Sequence, residues 1–415
     1  MTKMELCKKS ECTGCMACIN ICPRKAIVLQ QDEEGFLYPI ILKDNCIKCG
    51  ACVKVCPQMN PKRSAENYDK KVYAGWMKNR RLRRRSTSGG AFTAFAKEIM
   101  NNNGVVYGAG FDKDNKVIHK RITKKSELKQ LRGSKYVQSY IGNTFSQVKD
   151  DILNGMPVLF SGTPCQIDGL YSYLGNRYEK QLFTIDLVCH GVPSPEIFSK
   201  YLEYLENQYK SKVNKVYFRD KEPGWYVFGM RVEFQNGFVY KKNTYEDPFA
   251  RGFLRNLFLR PSCHSCHYAN NQRIADVTLA DFWGYQSTNE KDYDDDKGIS
   301  MIMINSSNGD VLFQQAKHQM RYFARDVEQA VQGNPALSHC FPPAENREQF
   351  WLDVHSNSFE YVIEKYMYSE EIPEWFKFRE QQIKSYKNDR RKHLPNRVFR
   401  RVLGNKLYEK LKKIK

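Results

Sequence analysis

Eight cysteines near the N-terminus repeat one spacing. Cys12, Cys15, Cys18 and Cys22 are separated by two, two and three residues and followed by Pro23; Cys46, Cys49, Cys52 and Cys56 repeat the pattern and are followed by Pro57. Three thiolates so spaced can wrap one face of a four-iron, four-sulfur cubane, while the fourth, a helical turn further on, points away and reaches a second cubane. The spacing therefore predicts one cluster on Cys12, Cys15, Cys18 and Cys56 and another on Cys46, Cys49, Cys52 and Cys22. Gly14 and Gly50 relieve crowding beside the ligands, and their N–H groups can approach sulfur. Structural zinc also takes four thiolates, but usually as two separated pairs, which this doubled run is not. Cys7 is left over and reads as a spare reduced thiol.

A second set is dispersed. Cys165 lies in Ser161-Gly162-Thr163-Pro164-Cys165-Gln166 and Cys189 in Cys189-His190-Gly191, each just after an apolar stretch that reads as a buried strand. Proteins of alternating strands and helices place ligands at the carboxyl ends of strands. Cys263 and Cys266 form a CxxC beside His264 and His267. Together these four cysteines could hold a third cubane. Three alternatives stand next to it. Zinc could take the CxxC with a histidine. The string Cys263-His264-Ser265-Cys266-His267 fits covalent haem attachment, which normally requires export. Cys165 and Cys189 could also be small buried hydrophobes. Cys340 reads as structural.

Arg80, Arg81, Arg83, Arg84 and Arg85 run into Ser86-Thr87-Ser88-Gly89-Gly90. A Ser/Gly turn that opens a helix offers free N–H groups and a positive dipole end to an anion. The same residues also describe a capped surface helix with a solvated basic run.

Strands are expected at 71–76, 104–111, 116–122, 158–160, 182–188, 213–218, 226–234, 238–240, 277–280 and 299–304. Helices are expected at 88–101, 143–153, 165–174 and 195–205. This mixture gives an α+β fold class: a bacterial-type ferredoxin domain with two 4Fe–4S clusters at 1–62, a mixed α/β body at 70–345, and a basic helical region at 346–415. The cysteine run is the only internal repeat.

The 415 residues are 41% hydrophobic, enough for a substantial core and two or three domains. The first nine residues lack an apolar signal-peptide core, and no apolar stretch approaches a bilayer span, so the expected location is the cytoplasm. Of the net charge of +20, most lies in residues 377–415, where 15 Lys or Arg face three Asp or Glu. The body is then only moderately basic and carries no nucleic-acid-reading motif, so nucleic acid is not an expected partner. Phe399, Leu403, Leu407, Leu411 and Ile414 recur at helical spacing among Arg400, Arg401, Lys406, Lys410, Lys412 and Lys413. Such a basic amphipathic helix suits the inner face of the cell membrane, or equally a C-terminal helix packed on the body.

Several strings together resemble the beta subunits of coenzyme F420 hydrogenases and dehydrogenases over roughly residues 1–340: Ser86–Gly90, Arg132–Ser139, Gly162–Gln166, Cys189–Gly191, Phe218–Lys221 with Gly224-Trp225, Cys263–Cys266 and Asp281–Gly284. Relatives of that family include iron–sulfur flavoproteins of bacterial polysaccharide gene clusters, the branch that the complete dicluster domain and basic tail resemble. The resemblance implies FAD in the body and a flavin N5 that exchanges hydride with an organic substrate. By that resemblance Ser86, Ser88, Gly89 and Gly90 would cradle FAD phosphate, and Lys135, Gln138, Thr163 and Gln166 would line the cofactor. Lys135 and His190 would shape the catalytic pocket, and Arg219, Lys221 and Trp225 would meet the substrate. The expected function is an iron–sulfur flavoprotein oxidoreductase that draws on ferredoxin or another low-potential donor. Its alternative is an electron-transfer subunit that serves a separate catalytic partner.

Overall fold

The computed structural model describes residues 6–61, 68–175, 181–286, 288, 294–368, 372–374, 376–377 and 380–381. The amphipathic helix expected at 395–415 lies outside the described residues. In the N-terminal segment, strands β1 (Ile27–Gln31) and β2 (Leu37–Ile41) form an antiparallel hairpin. Short helices at Ala17–Ile21 and Ala51–Lys54 follow the first two cysteines of each run and carry the third, Cys18 and Cys52.

The body contains β3 (Lys71–Met77), β4 (Val105–Phe111), β5 (Val117–Ile122), β6 (Val158–Gly162), β7 (Leu182–Leu187), β8 (Val213–Asp220), β9 (Gly229–Phe234), β10 (Val239–Asn243), β11 (Val277–Asp281), β12 (Ser300–Ile304) and β13 (Met320–Arg325). Eight of them make one mixed sheet in the order β13-β3-β12-β11-β7-β6-β4-β5, and β10-β9-β8 form a smaller antiparallel sheet. Pairing is parallel across β11-β7-β6-β4, and β3 runs the same way because two antiparallel neighbours, through β12, separate it from β11. Five strands thus deliver their carboxyl ends to one edge of the sheet.

Side chains alternate across this sheet, as pleating requires. Val106 and Leu159 face the helices Ala91–Asn101 and Ser307–Ala316, while Val105, Tyr107, Val158 and Phe160 face the helices Thr144–Leu153 and Pro164–Leu174. Cys15, Met16, Ala17 and Val55 enter that second core, so the ferredoxin segment packs directly on the body. Gly169 makes the approach close: a Cβ there would stand 2.8 Å from Cys15 Cβ. A further core joins the helix Pro195–Tyr209 and the small sheet to Phe350, Trp351, Val362 and Tyr366. Residues 346–367 therefore share the body's packing up to that point.

The sequence expectation recovers every body strand except β13, and it also leaves out the β1–β2 hairpin. β13 is a largely exposed edge strand, and Pro39 in β2 weakens the local strand signal. Among the described residues no helix is long and apolar enough to cross a membrane.

Candidate functional site

Left-handed residues turn the chain around each cysteine run: Gly14 and Met16 in the first, Lys48 and Gly50 in the second. At Gly14 a side chain is excluded as well, because a Cβ would meet Gln138 Nε2 at 2.4 Å. The turns bring Cys12, Cys15 and Cys18 around a cavity of about 470 Å³ that Cys56 also lines. Cys46, Cys49 and Cys52 surround a second cavity of about 350 Å³ together with Cys22. Each run therefore contributes its fourth cysteine to the other's cavity. Ala26 N–H donates to Cys22 Sγ at 3.2 Å.

The two cavities differ in setting. Cys12 and Cys15 are buried against the body, whereas Cys49 is exposed. At the second cavity Ile47 is an exposed apolar group. Arg24, Lys25, Lys43, Lys48 and Lys54 are exposed in the same region, with Asp44 the only acidic residue among them. Cys7 is not an isolated thiol, since it packs on Cys12 and lines the first cavity. Hydrogen bonds with Cys12 and Cys56 push its own pKa up and draw theirs down.

The carboxyl edge of the large sheet collects most of the other sequence-selected residues. Cys165 follows β6, Cys189 follows β7, and a short turn after Arg260 presents Cys263 and Cys266. These four cysteines lie close enough to feel one another's charge, and Cys15 of the first cavity feels Cys165. Burial pushes Cys165 up to about 11 and Cys263 up to about 12. As free groups they are thiols at neutral pH, and a coordinated metal would have to supply the charge that makes them thiolates. Val192 N–H donates to Cys263 Sγ at 3.4 Å, and Thr163 Oγ1 lies 3.1 Å from Cys165 Sγ.

Among the described residues no three His, Cys, Asp or Glu side chains converge on the position of a single ion. His264 contacts the Phe341 carbonyl through Nδ1 at 3.0 Å. His190 is packed, with Nε2 at 2.6 Å from Asn256 Oδ1 and its ring stacked 3.9 Å from Phe341.

The remaining residues are held by the protein itself. Ser86 and Ser88 hydroxyls donate to the carbonyls of Leu82 and Ile299, at 2.9 and 2.7 Å. Gly89 packs on backbone, with Gly75 O only 2.2 Å from where its Cβ would stand, and Gly90 begins the helix at φ 96°. The Lys135 ammonium donates to the carbonyls of Gln130, Leu131 and Arg132 within 3.1 Å, closing the end of the helix Leu128–Leu131. Burial lowers its pKa to about 7. Gln138 faces the first cysteine loop, donating to Thr13 O and accepting from Arg260. Gln166 Oε1 accepts from Thr163 N–H, and its amide donates to Ser139.

Lys221 donates to the carbonyls of Arg83, Ser88 and Lys297, which ties the Ser86–Gly90 turn to the 294–300 segment; burial lowers its pKa to about 7. Trp225 is fully buried, stacked on Trp283 at 4.8 Å and donating to Asp281 at 2.6 Å. Arg219 pairs with Asp281 at 2.9 Å over the Phe228 ring, yet its buried Nε and Nη2 have no hydrogen-bond partner.

Sequence reasoning missed Arg260, fully buried between the first cysteine loop and the CxxC, and His119, which bonds Ser139 and the Ser161 carbonyl. Arg260 stands three residues before the CxxC, which is a faint local signal. His119 has none.

Paired cysteine cavities in front of an α/β sheet define an iron–sulfur protein that transfers electrons. Residues 72–144 match the N-terminal region, and residues 155–330 the C-terminal region, of the family described as coenzyme F420 hydrogenase/dehydrogenase, beta subunit; residues 11–60 match the 4Fe-4S dicluster domain. The chain belongs to the coenzyme F420 hydrogenase/dehydrogenase beta-subunit family, a family of oxidoreductases, and carries a dicluster 4Fe–4S domain at its front. No curated protein matches it. One similar solved chain comes from the xenon-derivatised F420-reducing [NiFe] hydrogenase complex of Methanosarcina barkeri, at 16% identity and a TM-score of 0.43, covering 73% of this chain and 95% of that one.

Proposed function

We propose that this chain is an iron–sulfur flavoenzyme in which electrons enter at the exposed second cysteine cavity and are used at the carboxyl edge of the sheet. The observation that carries this reading is the succession of three cysteine sets from exposed Cys49, through buried Cys15, to Cys165 beside it. Cys12, Cys15, Cys18 and Cys56 would hold one cubane and Cys22, Cys46, Cys49 and Cys52 another. Cys165, Cys189, Cys263 and Cys266 would hold a third.

The carboxyl edge suits FAD by its donors. The unpartnered Arg219 Nε and Nη2, joined by the unpartnered Arg132 Nε, are buried donors for an anionic or carbonyl group. Ser86 and Ser88 already give their hydroxyl protons to carbonyls, so phosphate would be met by backbone N–H groups at the start of the helix Ala91–Asn101. Bound FAD supplies the exchange between a hydride pair and single electrons. Lys135 and Lys221 fix the loops around that place, and His190 orients the segment between Cys189 and Val192.

The basic, apolar surface around Cys49 supports a small acidic low-potential carrier such as ferredoxin as donor. The resemblance to proteins of polysaccharide gene clusters directs the substrate search to glycan precursors. A basic tail resting on the inner membrane face would favour lipid-linked ones; unchanged sedimentation with anionic vesicles after deletion of 395–415 would refute that contact.

A second reading is favoured by how many polar groups at the edge are internally satisfied: the chain passes electrons to a separate catalytic partner. Anaerobic purification with iron, sulfide and flavin quantified tests both. About twelve irons with FAD supports the flavoenzyme with three clusters, about eight removes the third cluster, and absence of flavin leaves the carrier reading.

A further inference from the structure

The segment from Val192 to Cys263 places a buried positive charge where the first and third cysteine sets meet. Pro193 and Leu259 form an antiparallel bridge, and Arg260 N–H donates to Val192 O at 3.0 Å, so the backbone before the CxxC is fixed. Arg260 itself is fully buried. Its Nε donates to Cys12 O at 2.6 Å, Nη1 to Gln138 Oε1 at 2.8 Å and Nη2 to Leu37 O at 3.2 Å, while the guanidinium lies 4.1 Å from the Tyr38 ring centre. Two residues on, Ser262 donates to the same Cys12 carbonyl, and the next residue is Cys263. Gly14 allows this approach, since a Cβ there would meet the guanidinium at 3.1 Å.

All three partners of the guanidinium are neutral oxygens, and among the described residues no carboxylate is paired with it. A buried cation without a counter-charge is costly. Its field reaches Cys12 on one side and Cys165 and Cys263 on the other.

We propose that Arg260 is a positioning residue whose charge raises the reduction potential of the clusters held at the first and third cysteine sets and ties the two potentials together. Reduction adds negative charge to a cluster, and a fixed cation in a low-dielectric interior stabilises that added charge. The proposal rests on the flavoenzyme reading only for the third set.

The test is a potentiometric titration of the anaerobic full-length holoprotein followed by electron paramagnetic resonance, with iron and sulfide counted. Arg260→Gln should shift the midpoints of the first and third clusters to more negative values at unchanged iron, while Arg260→Lys, which keeps the charge, should stay near the parent. Gln138→Glu keeps an acceptor for Arg260 but adds a counter-charge, and should also shift the midpoints negative. That variant answers the question if Arg260→Gln does not fold. Unchanged midpoints in Gln138→Glu and in a fully loaded Arg260→Gln overturn the proposal, as does an Arg260→Lys shift as large as that of Arg260→Gln. A parent protein with about eight irons removes the third cluster alone, and the shift at the first remains readable.

Discussion

The two N-terminal cysteine loops share one spacing and sit in opposite surroundings. The first is buried against the helix Pro164–Leu174, with Gly169 cut back to admit it and Arg260 and Gln138 bonded to its backbone. The second presents exposed Cys49 amid lysines. Spacing sets what each loop can bind, while the surface each loop meets sets its access: in the proposed reading the outer one takes electrons in and the inner one delivers them to the body.

The sharpest break of this comparison is to exchange the ligands it assigns. Cys56→Ser should remove about four irons and abolish the signal of the first, buried cluster although Cys56 belongs to the second run. Cys22→Ser should abolish the outer signal. Electron paramagnetic resonance and iron counts read both, and loss of the cluster of the residue's own run would refute the crossed arrangement.

Acid should act on the support behind the inner loop. Burial holds His119 down at about 4, below the usual value of 6.5, so it is neutral in the folded chain. As pH falls from 6.5 to 4 the unfolded chain gains a proton that the folded one refuses, and stability drops with it, by up to about 3 kcal/mol. Above 6.5 this contribution is fully present. Denaturant titrations should show that His119→Gln flattens this slope; an unchanged slope would assign it to other groups.

Gly169→Ala should cost roughly 1–3 kcal/mol, because the added methyl strikes Cys15 at the domain contact. Gly50→Ala has nothing within 4 Å of its Cβ, and its cost should come from the φ of +74° alone, about 1 kcal/mol. Equal costs would mean that the inner packing is looser than it looks. The smallest effect belongs to the outer surface: Lys48→Glu with Lys54→Glu should slow reduction by an acidic carrier several-fold at low salt and little at high salt. Stopped-flow bleaching of the clusters measures it.

The cysteine runs were legible because ligand spacing is a local property, and so were the apolar strands that lead to Cys165 and Cys189. What the sequence did not show was non-local. Trp225 and Arg219 stand in a string that includes Gly224, and both bond Asp281, far along the chain. Lys135 is a different case. Its three acceptors lie three to five residues before it, and a lysine closing a helix end could have been read from the sequence. Arg260 shows the limit: its partners Cys12 and Leu37 are more than two hundred residues away.

Cys22 lines the cavity of the second run and Cys56 that of the first. Neither cavity has its four thiols until both runs have met, so a chain misfolded between residues 12 and 56 offers iron only incomplete sets. Metal loading then works as an inspection of the fold, and neither run could be inherited, trimmed or replaced without the other.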